Sequence, residues 1–236
     1  MSGSHFDAIA ARYDETIPAH VAEHYLAKRI RFIAAHCPGG RVLDVGCGTG
    51  ALAARLVRLG WDVAGVDPSE GMLAVMRRRV PEADAVLGSG TSLPFGDGEF
   101  DVALSVATMH HIAEPGAVRA TLGEMARVTR TGGSVVVWDH NPSNPYWPLL
   151  MRRVPQDQGD ERLIGLDELL DGLAAGGAEP VLVSRLGLIP DFTPPRLMRV
   201  ARSLETAVER TPGLRRLCAH NVILASKGDR APRERR

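Results

Sequence analysis

From residue 41 onward, short apolar runs alternate with stretches in which apolar side chains recur every three or four positions. The runs at 41–45, 62–66, 83–87, 100–106 and 134–138 predict buried strands. Between them the spacing of Leu52, Leu56 and Leu59 predicts a helix stopped by Gly60, and further helices fall over 69–79 and 116–129. Short apolar strands alternating with helices make a doubly wound α/β fold, a mostly parallel sheet covered on both faces. Ahead of this block, 5–37 reads as helical, with Val21, Tyr25, Ile30 and Ile33 at helical intervals, a break at Pro18 and a stop at Pro38-Gly39-Gly40.

After Trp138 the rhythm changes. Residues 139–160 hold four prolines, two Asn-Pro pairs and two aromatics, and predict a long ordered loop. A helix over 166–175 and strands over 180–186 and 220–225 follow, with a Pro-flanked helical insertion at 187–215. The organisation expected is one domain over 1–226, with a helical cover at 5–37 and insertions at 139–160 and 187–215. The stretch 227–236 carries five Lys/Arg and two Asp/Glu without apolar anchors and predicts a disordered tail.

Composition narrows the function classes. Lys+Arg and Asp+Glu are both 28, and 44% of the 236 residues are apolar, so neither bulk disorder nor a chain-wide nucleic-acid footprint is expected. Aromatics at 5% argue against a base-stacking surface. No apolar run reaches the ~18 residues of a bilayer span, so no stable membrane insertion is expected. The N-terminus lacks a signal-peptide pattern. Cys37, Cys47 and Cys218 are scattered, matching neither a zinc site nor a disulfide framework. A cytoplasmic location is the expectation.

The informative segment is Val42-Leu43-Asp44-Val45-Gly46-Cys47-Gly48-Thr49-Gly50. A strand runs into spaced glycines and then a helix, so a ligand can approach the backbone without meeting a Cβ. The helix start offers free N–H groups to an anion. Twenty-one residues after Gly46, at the end of the second strand, Asp67 can accept from ribose hydroxyls. Gly46-x-Gly48-x-x-Ala51 also satisfies a dinucleotide pattern. Asp44 argues against that ligand, because a carboxylate at the loop mouth suits an ammonium group rather than a pyrophosphate.

This segment resembles motif I of class I S-adenosylmethionine (SAM)-dependent methyltransferases, and Val63-Ala64-Gly65-Val66-Asp67-Pro68-Ser69 resembles their second strand. Leu93-Pro94-Phe95 with Phe100-Asp101, and Phe6-Asp7-x-x-Ala10-x-x-Tyr13-Asp14, are similar to the ubiquinone/menaquinone-biosynthesis-like (methyltransferase type 11) subgroup. The resemblance implies a Rossmann-like seven-stranded sheet, order 3-2-1-4-5-7-6 with strand 7 antiparallel. It implies SAM as cofactor and S-adenosylhomocysteine as product. Carried over, Asp44 and Gly46 lie near the methionine moiety, and Cys47, Gly48 and Gly50 complete the loop around the cofactor. Asp67 holds the ribose, and Pro68 and Met72 flank the adenine. Tyr13 closes over the cofactor, and Ser105, Val106 and Ala107 end strand four against the methionine end. The subgroup's Gly-Asp-Ala after strand three is here Gly88-Ser89-Gly90, so a hydroxyl replaces the acid at the adenine.

The acceptor is less legible. Methyl transfer is an in-line displacement that needs alignment, sometimes a base, and no metal. His110 and His111 follow strand four and His140 follows strand five, all at the ligand-binding edge, so they are the candidate bases. Adjacent residues point differently, so at most one of the pair is expected to face the pocket; the plainer reading of each histidine is structural. Asn144-Pro145-Tyr146-Trp147 superficially resembles the box of amino-group methyltransferases, but it follows strand five rather than strand four, which argues against DNA or protein N-methylation. Tyr146, Trp147, Leu149 and Leu150, with Leu188, Ile189, Phe192, Leu197, Met198 and Leu204, are expected to form an apolar acceptor wall. The reading is methyl transfer to an O or C nucleophile of a small, apolar or glycosylated metabolite (lipid, quinone, saccharide or natural product). The alternatives are a catalytically silent SAM-binding module and a nicotinamide-dependent enzyme.

Overall fold

A computed structural model describes residues 3–112, 114–147 and 161–228. Strands β1 (Arg41–Val45), β2 (Asp62–Asp67), β3 (Asp84–Leu87), β4 (Phe100–Val106), β5 (Thr129–His140), β6 (Ala178–Leu186) and β7 (His220–Lys227) form one sheet. Its order is β3-β2-β1-β4-β5-β7-β6, with β7 antiparallel to both neighbours and the other pairings parallel. The fold class read from the sequence is the one observed. Helices α1 (Gly3–Ile9) and α2 (Ala19–His36) precede the sheet. Helices α3 (Ala51–Arg58), α4 (Glu70–Arg79), α5 (Pro115–Val128), α6 (Leu166–Ala175) and α7 (Met198–Arg210) are placed between strands.

The two-residue period of the strands sorts side chains between two cores. Leu43, Val45, Ala103, Val135 and Val137 face α5 and α6, where Leu122, Met125, Leu169 and Leu173 complete one cluster. Val42, Val102, Leu104, Val136 and Trp138 face α2 and α3, against Phe32, Ile33, Leu52 and Leu56. The same alternation decides the site. Asp44, Val106, His140 and His220 fall on the α2 side of the sheet, whereas Ser105 and Asp139 fall on the other.

Several boundaries differ from the expectation. β5 begins at Thr129 and runs to His140, because Thr129 pairs with Phe100 across a bulge and the far end pairs fully with β7, Asp139 opposite Asn221 and His140 opposite His220. The expected loop therefore starts at Asn141, and 148–160, including Leu149 and Leu150, lies outside the described residues. Lys227 is not tail. It belongs to β7, and its Nζ donates to the Gly176 carbonyl at 3.0 Å; residues 229–236 lie outside the described residues. The expected wall at 188–204 is divided, because α7 packs only one face on the molecule. Ile189 and Met198 are buried with Val21 and Tyr25, whereas Phe192, Leu197 and Leu204 face outward.

The N-terminal cover is pinned by its own acids. Asp7 Oδ1 accepts from Ser69 Oγ (2.6 Å) and from the Gly71 amide (2.8 Å) at the start of α4, which holds its pKa below the usual carboxylate value. Asp14 accepts from Thr49 Oγ1 at 2.8 Å and pairs with Arg79. On the other side, buried Glu205 of α7 bonds His24 (2.8 Å) and Lys28 (2.6 Å) of α2 and accepts from the Leu188 amide at 2.8 Å.

Candidate active site

A cavity of about 430 Å³ opens at the carboxyl ends of β1, β4 and β5, beneath α2. A narrower cleft of about 50 Å³ continues from it between Gly46, Gly48, Asp67, Pro68 and Met72. Tyr13, Gly46, Gly48, Ala107 and His111 line both. The connection from β1 runs to β2 on one side while β4 lies on the other, so the cavity occupies the switch point of the sheet, where open α/β folds bind ligands.

The glycines divide the work of the loop. Gly46, Gly48 and Gly50 have φ of +77°, +52° and +75°. A Cβ at Gly46 would collide with Thr108, and one at Gly50 with Met76, so these two allow close packing. A Cβ at Gly48 would meet nothing within 4 Å. Its face is open to the cavity, and its amide donates to Asp67 Oδ2 at 2.9 Å. Ala107, at φ +55°, is the one described non-glycine residue with positive φ, a strained position at the end of β4.

Charge in the cavity is paired by sign. Asp44 is buried, and burial, then the nearby Asp67, raise its pKa to about 7 against the pull of Arg29. Arg29, from α2, lines the same wall. Burial lowers its pKa, and its Nε is buried without a hydrogen-bond partner among the described residues. Asp67 is buried too, which raises its pKa although the Ser69 and Gly48 amides bond it. Those amides occupy two of its roughly four lone-pair sites, so it retains acceptor capacity toward the cleft.

The histidines form a stack. Asp139 Oδ2 accepts from the Met109 amide at 2.6 Å, and Oδ1 accepts from the His140 amide at 2.6 Å. Burial pushes the Asp139 carboxyl up, but His110 and the His140 amide more than offset it, so its pKa is lowered and it is ionised. An ionised carboxylate only accepts. The 2.8 Å contact from His110 Nδ1 is therefore a donated hydrogen bond, which orients the ring and leaves Nε2 as the nitrogen not spent on Asp139. The His110 ring stacks on His140 (3.8 Å, 23°), which stacks on Trp147 (3.6 Å, 25°). Burial, then His110, lower the His140 pKa well below the usual value, and its Nδ1 has no hydrogen-bond partner among the described residues. Burial does the same to His111. His110, Asp139 and His140 bring nitrogen and oxygen atoms within 4.8 Å of one another. Stacked rings set their in-plane lone pairs side by side rather than converging, which disfavours a shared metal ion.

Of the candidates named from sequence, Tyr13, Asp44, Gly46, Cys47, Gly48, Val106, His110, His111 and His140 line the cavity, and Asp67, Pro68 and Met72 line the cleft. Both members of the His110/His111 pair face in, because they sit in a 3-10 turn (Met109–His111) rather than on a strand. Gly50 packs behind the loop. Ser105 lies on the opposite sheet face, its hydroxyl buried without a partner among the described residues. Ser89 is exposed and bonds Thr91 at 2.8 Å, and neither it nor Gly90 reaches either lining. Asn144 is spent on a local turn, with Oδ1 accepting from the Tyr146 amide and Nδ2 donating to Leu217. Sequence reasoning missed Arg29, Asp139, Asp191 and His220. The strand end at Asp139 was a usable signal; the other three reach the site only through folding.

Known proteins carry the same pattern. A family profile for a methyltransferase domain matches residues 43–137. The demethylmenaquinone methyltransferase of Mycolicibacterium paratuberculosis is 39% identical over 163 residues, 65% of this chain and 68% of that protein. The chain belongs to the class I SAM-dependent methyltransferases. Within them it is of the ubiquinone/menaquinone-biosynthesis-like type, and the family's cofactor is SAM. The demethylmenaquinone methyltransferase of Renibacterium salmoninarum is 37% identical over 160 residues, and the chain spans 65% of its length. A crystal structure of a SAM-dependent methyltransferase from Thermotoga maritima, a possible histamine N-methyltransferase, superposes with a TM-score of 0.72. It covers 96% of this chain and 100% of the other at 23% identity, a likeness of fold.

Proposed function

We propose that this chain transfers a methyl group from SAM to an O or C nucleophile of a small, hydroxylated aromatic acceptor of the quinol class. The acceptor class follows the names of the demethylmenaquinone relatives and the ring-lined wall of the cavity. The observation that carries the reading is the meeting of a SAM-type loop with a carboxylate-oriented histidine in one cavity. The cavity fits the cofactor. Open space at Gly48 admits it, Asp67 has acceptor capacity for the ribose, and Pro68 and Met72 wall the adenine side. Asp44 and Arg29 offer opposite charges to the ammonium and carboxylate of the methionine end. When bound, SAM supplies an electrophilic methyl group.

The chain's own residues prepare the acceptor. Trp147 and Tyr146 give a ring-lined wall, His140 is held between the His110 and Trp147 rings, and α2 covers the cavity. His110 Nε2 takes the hydroxyl proton, raising electron density on the acceptor oxygen and on the ring carbons conjugated to it. Asp139 stabilises the imidazolium that results. His111 and His140 orient rather than titrate, since burial keeps them neutral. No reading of the site calls for nucleic acid.

Calorimetry with SAM and with NAD tests the cofactor, and incubation of a metabolite extract with methyl-labelled SAM tests the transfer. SAM binding with label entering a small hydroxylated aromatic product is expected. NAD binding without SAM binding would refute the reading. SAM binding without any labelled product would support a silent binding module instead.

A further inference from the structure

The outer face of α7 has no part in the cavity. Phe192, Leu197, Val200 and Leu204 are 72, 48, 68 and 57% exposed. Residues 197, 200 and 204 are spaced three and four apart, so they form one apolar stripe, while Met198 and Glu205 hold the opposite face against the molecule. The 3-10 turn Leu214–Leu217 packs beside the helix and adds two exposed leucines.

Arginines border this stripe. Residues 192–217 contain six (Arg196, Arg199, Arg202, Arg210, Arg215 and Arg216) and two glutamates, a net charge of +4 on a chain whose net charge is zero. Both glutamates turn inward. Glu205 bonds His24 and Lys28, and Glu209 pairs with Lys28 and accepts from the Gly187 amide. No ion pair links any of the six arginines to a described residue. Arg196, Arg199 and Arg210 recur at three- and eleven-residue intervals along the polar edge of the stripe.

We propose that this face docks the protein on an anionic lipid bilayer. An amphipathic helix with large apolar side chains on one flank and arginines on the other is the pattern that lies in a bilayer interface. Nucleic acid would satisfy the arginines but leave aliphatic Leu197, Val200 and Leu204 without a partner. The helix is too short and too charged to span, and among the described residues no helix is long and apolar enough to cross a membrane. The docking face also adjoins the cavity. Met198 packs on Val21 and Tyr25 of α2, His20 bonds the Thr193 carbonyl at 2.7 Å, and Ala19, Ala22 and Tyr25 line the cavity wall. A docked α7 therefore places the α2 rim next to the lipid, where an apolar acceptor concentrates.

Cosedimentation of the full chain with vesicles tests this. One set is phosphatidylcholine alone, and the other is equal parts phosphatidylcholine and phosphatidylglycerol. Binding to the anionic set only is expected. Arg196→Gln with Arg199→Gln should weaken it by roughly fivefold per arginine, and Phe192→Ser with Leu204→Ser should weaken it by at least as much. All four side chains are exposed, so the variants should keep the wild-type melting curve and SAM affinity. No binding to anionic vesicles, equal binding to both sets, or binding unchanged in both variants would overturn the proposal. So would sedimentation-velocity dimers that dissociate in the Phe192/Leu204 variant, since a second copy would then cover the face. Vesicle binding is read without turnover, so its failure leaves the methyl-transfer reading standing.

Discussion

Protonation of Asp44 should set the pH dependence of SAM affinity. In the ligand-free protein its carboxyl is raised to about 7 by burial, with Asp67 adding to the shift. An ammonium group at the loop mouth needs it ionised. Below that pKa, binding must first remove a proton, so affinity falls as pH falls. With a pKa near 7, about one tenth of Asp44 is ionised at pH 6, so the dissociation constant at pH 6 should be about tenfold weaker than at pH 8, or about 1.4 kcal/mol. Calorimetry in two buffers of different ionisation enthalpy should show about one proton released per SAM bound at pH 6 and none at pH 8. Asp44→Asn should weaken binding at pH 8 by the loss of a charged hydrogen bond, about 1.5–3 kcal/mol, and should flatten the profile. The sign for folding is the reverse. The folded-state pKa lies above the unfolded one, so Asp44 lowers stability progressively between about pH 4 and pH 7, and Asp44→Asn should remove that decline. A wild-type dissociation constant that does not vary between pH 6 and 8, or a profile that persists in Asp44→Asn, would refute the placement of the ammonium group.

His110→Ala and Asp139→Asn should each lower turnover by about 10²–10⁴-fold with little change in SAM affinity; near wild-type rates in both would make catalysis purely positional. His140→Ala should lower kcat and raise acceptor KM together, because its ring supports both the His110 ring and the Trp147 wall, and an effect on neither would contradict that. Gly48→Ala should cost only the about 1–2 kcal/mol of left-handed strain, yet abolish measurable SAM binding; Gly46→Ala should destabilise the fold further through the clash with Thr108. Hydrogen exchange over residues 6–37 should slow when SAM is bound, since Asp7 and Asp14 pin the cover at its rim, and equal protection in both states would count against a closing lid.

The cofactor side of the site was legible because one contiguous loop carries it. Glycines at fixed spacing after an apolar strand leave few alternatives, and the sheet order followed from the family that loop resembles. The signature Phe6-Asp7-x-x-Ala10-x-x-Tyr13-Asp14 acquired its physical meaning only in three dimensions. Its acids pin the cover, Phe6 and Tyr13 face the cleft, and Ala10 is buried. The acceptor side was not legible, because its residues come from distant segments. His220 reaches His140 through antiparallel register, and Arg29 reaches Asp44 because α2 covers that face of the sheet. The Asp139–His110 bond crosses from the end of β5 to the turn after β4. The outward Phe192, Leu197 and Leu204 show the opposite failure. Apolar spacing alone cannot say which of two faces a helix buries when its charged partners lie on another helix.

The most direct test is mass spectrometry of the protein incubated with trideuteromethyl-SAM and a reduced, prenylated 1,4-naphthoquinol, beside the oxidised quinone. A trideuteromethyl product from the quinol, none from the quinone, and loss of the product in His110→Ala are predicted. Saturating SAM binding with no labelled product from the quinol, or equal labelling of quinol and quinone, would contradict proton removal from a hydroxylated acceptor at His110.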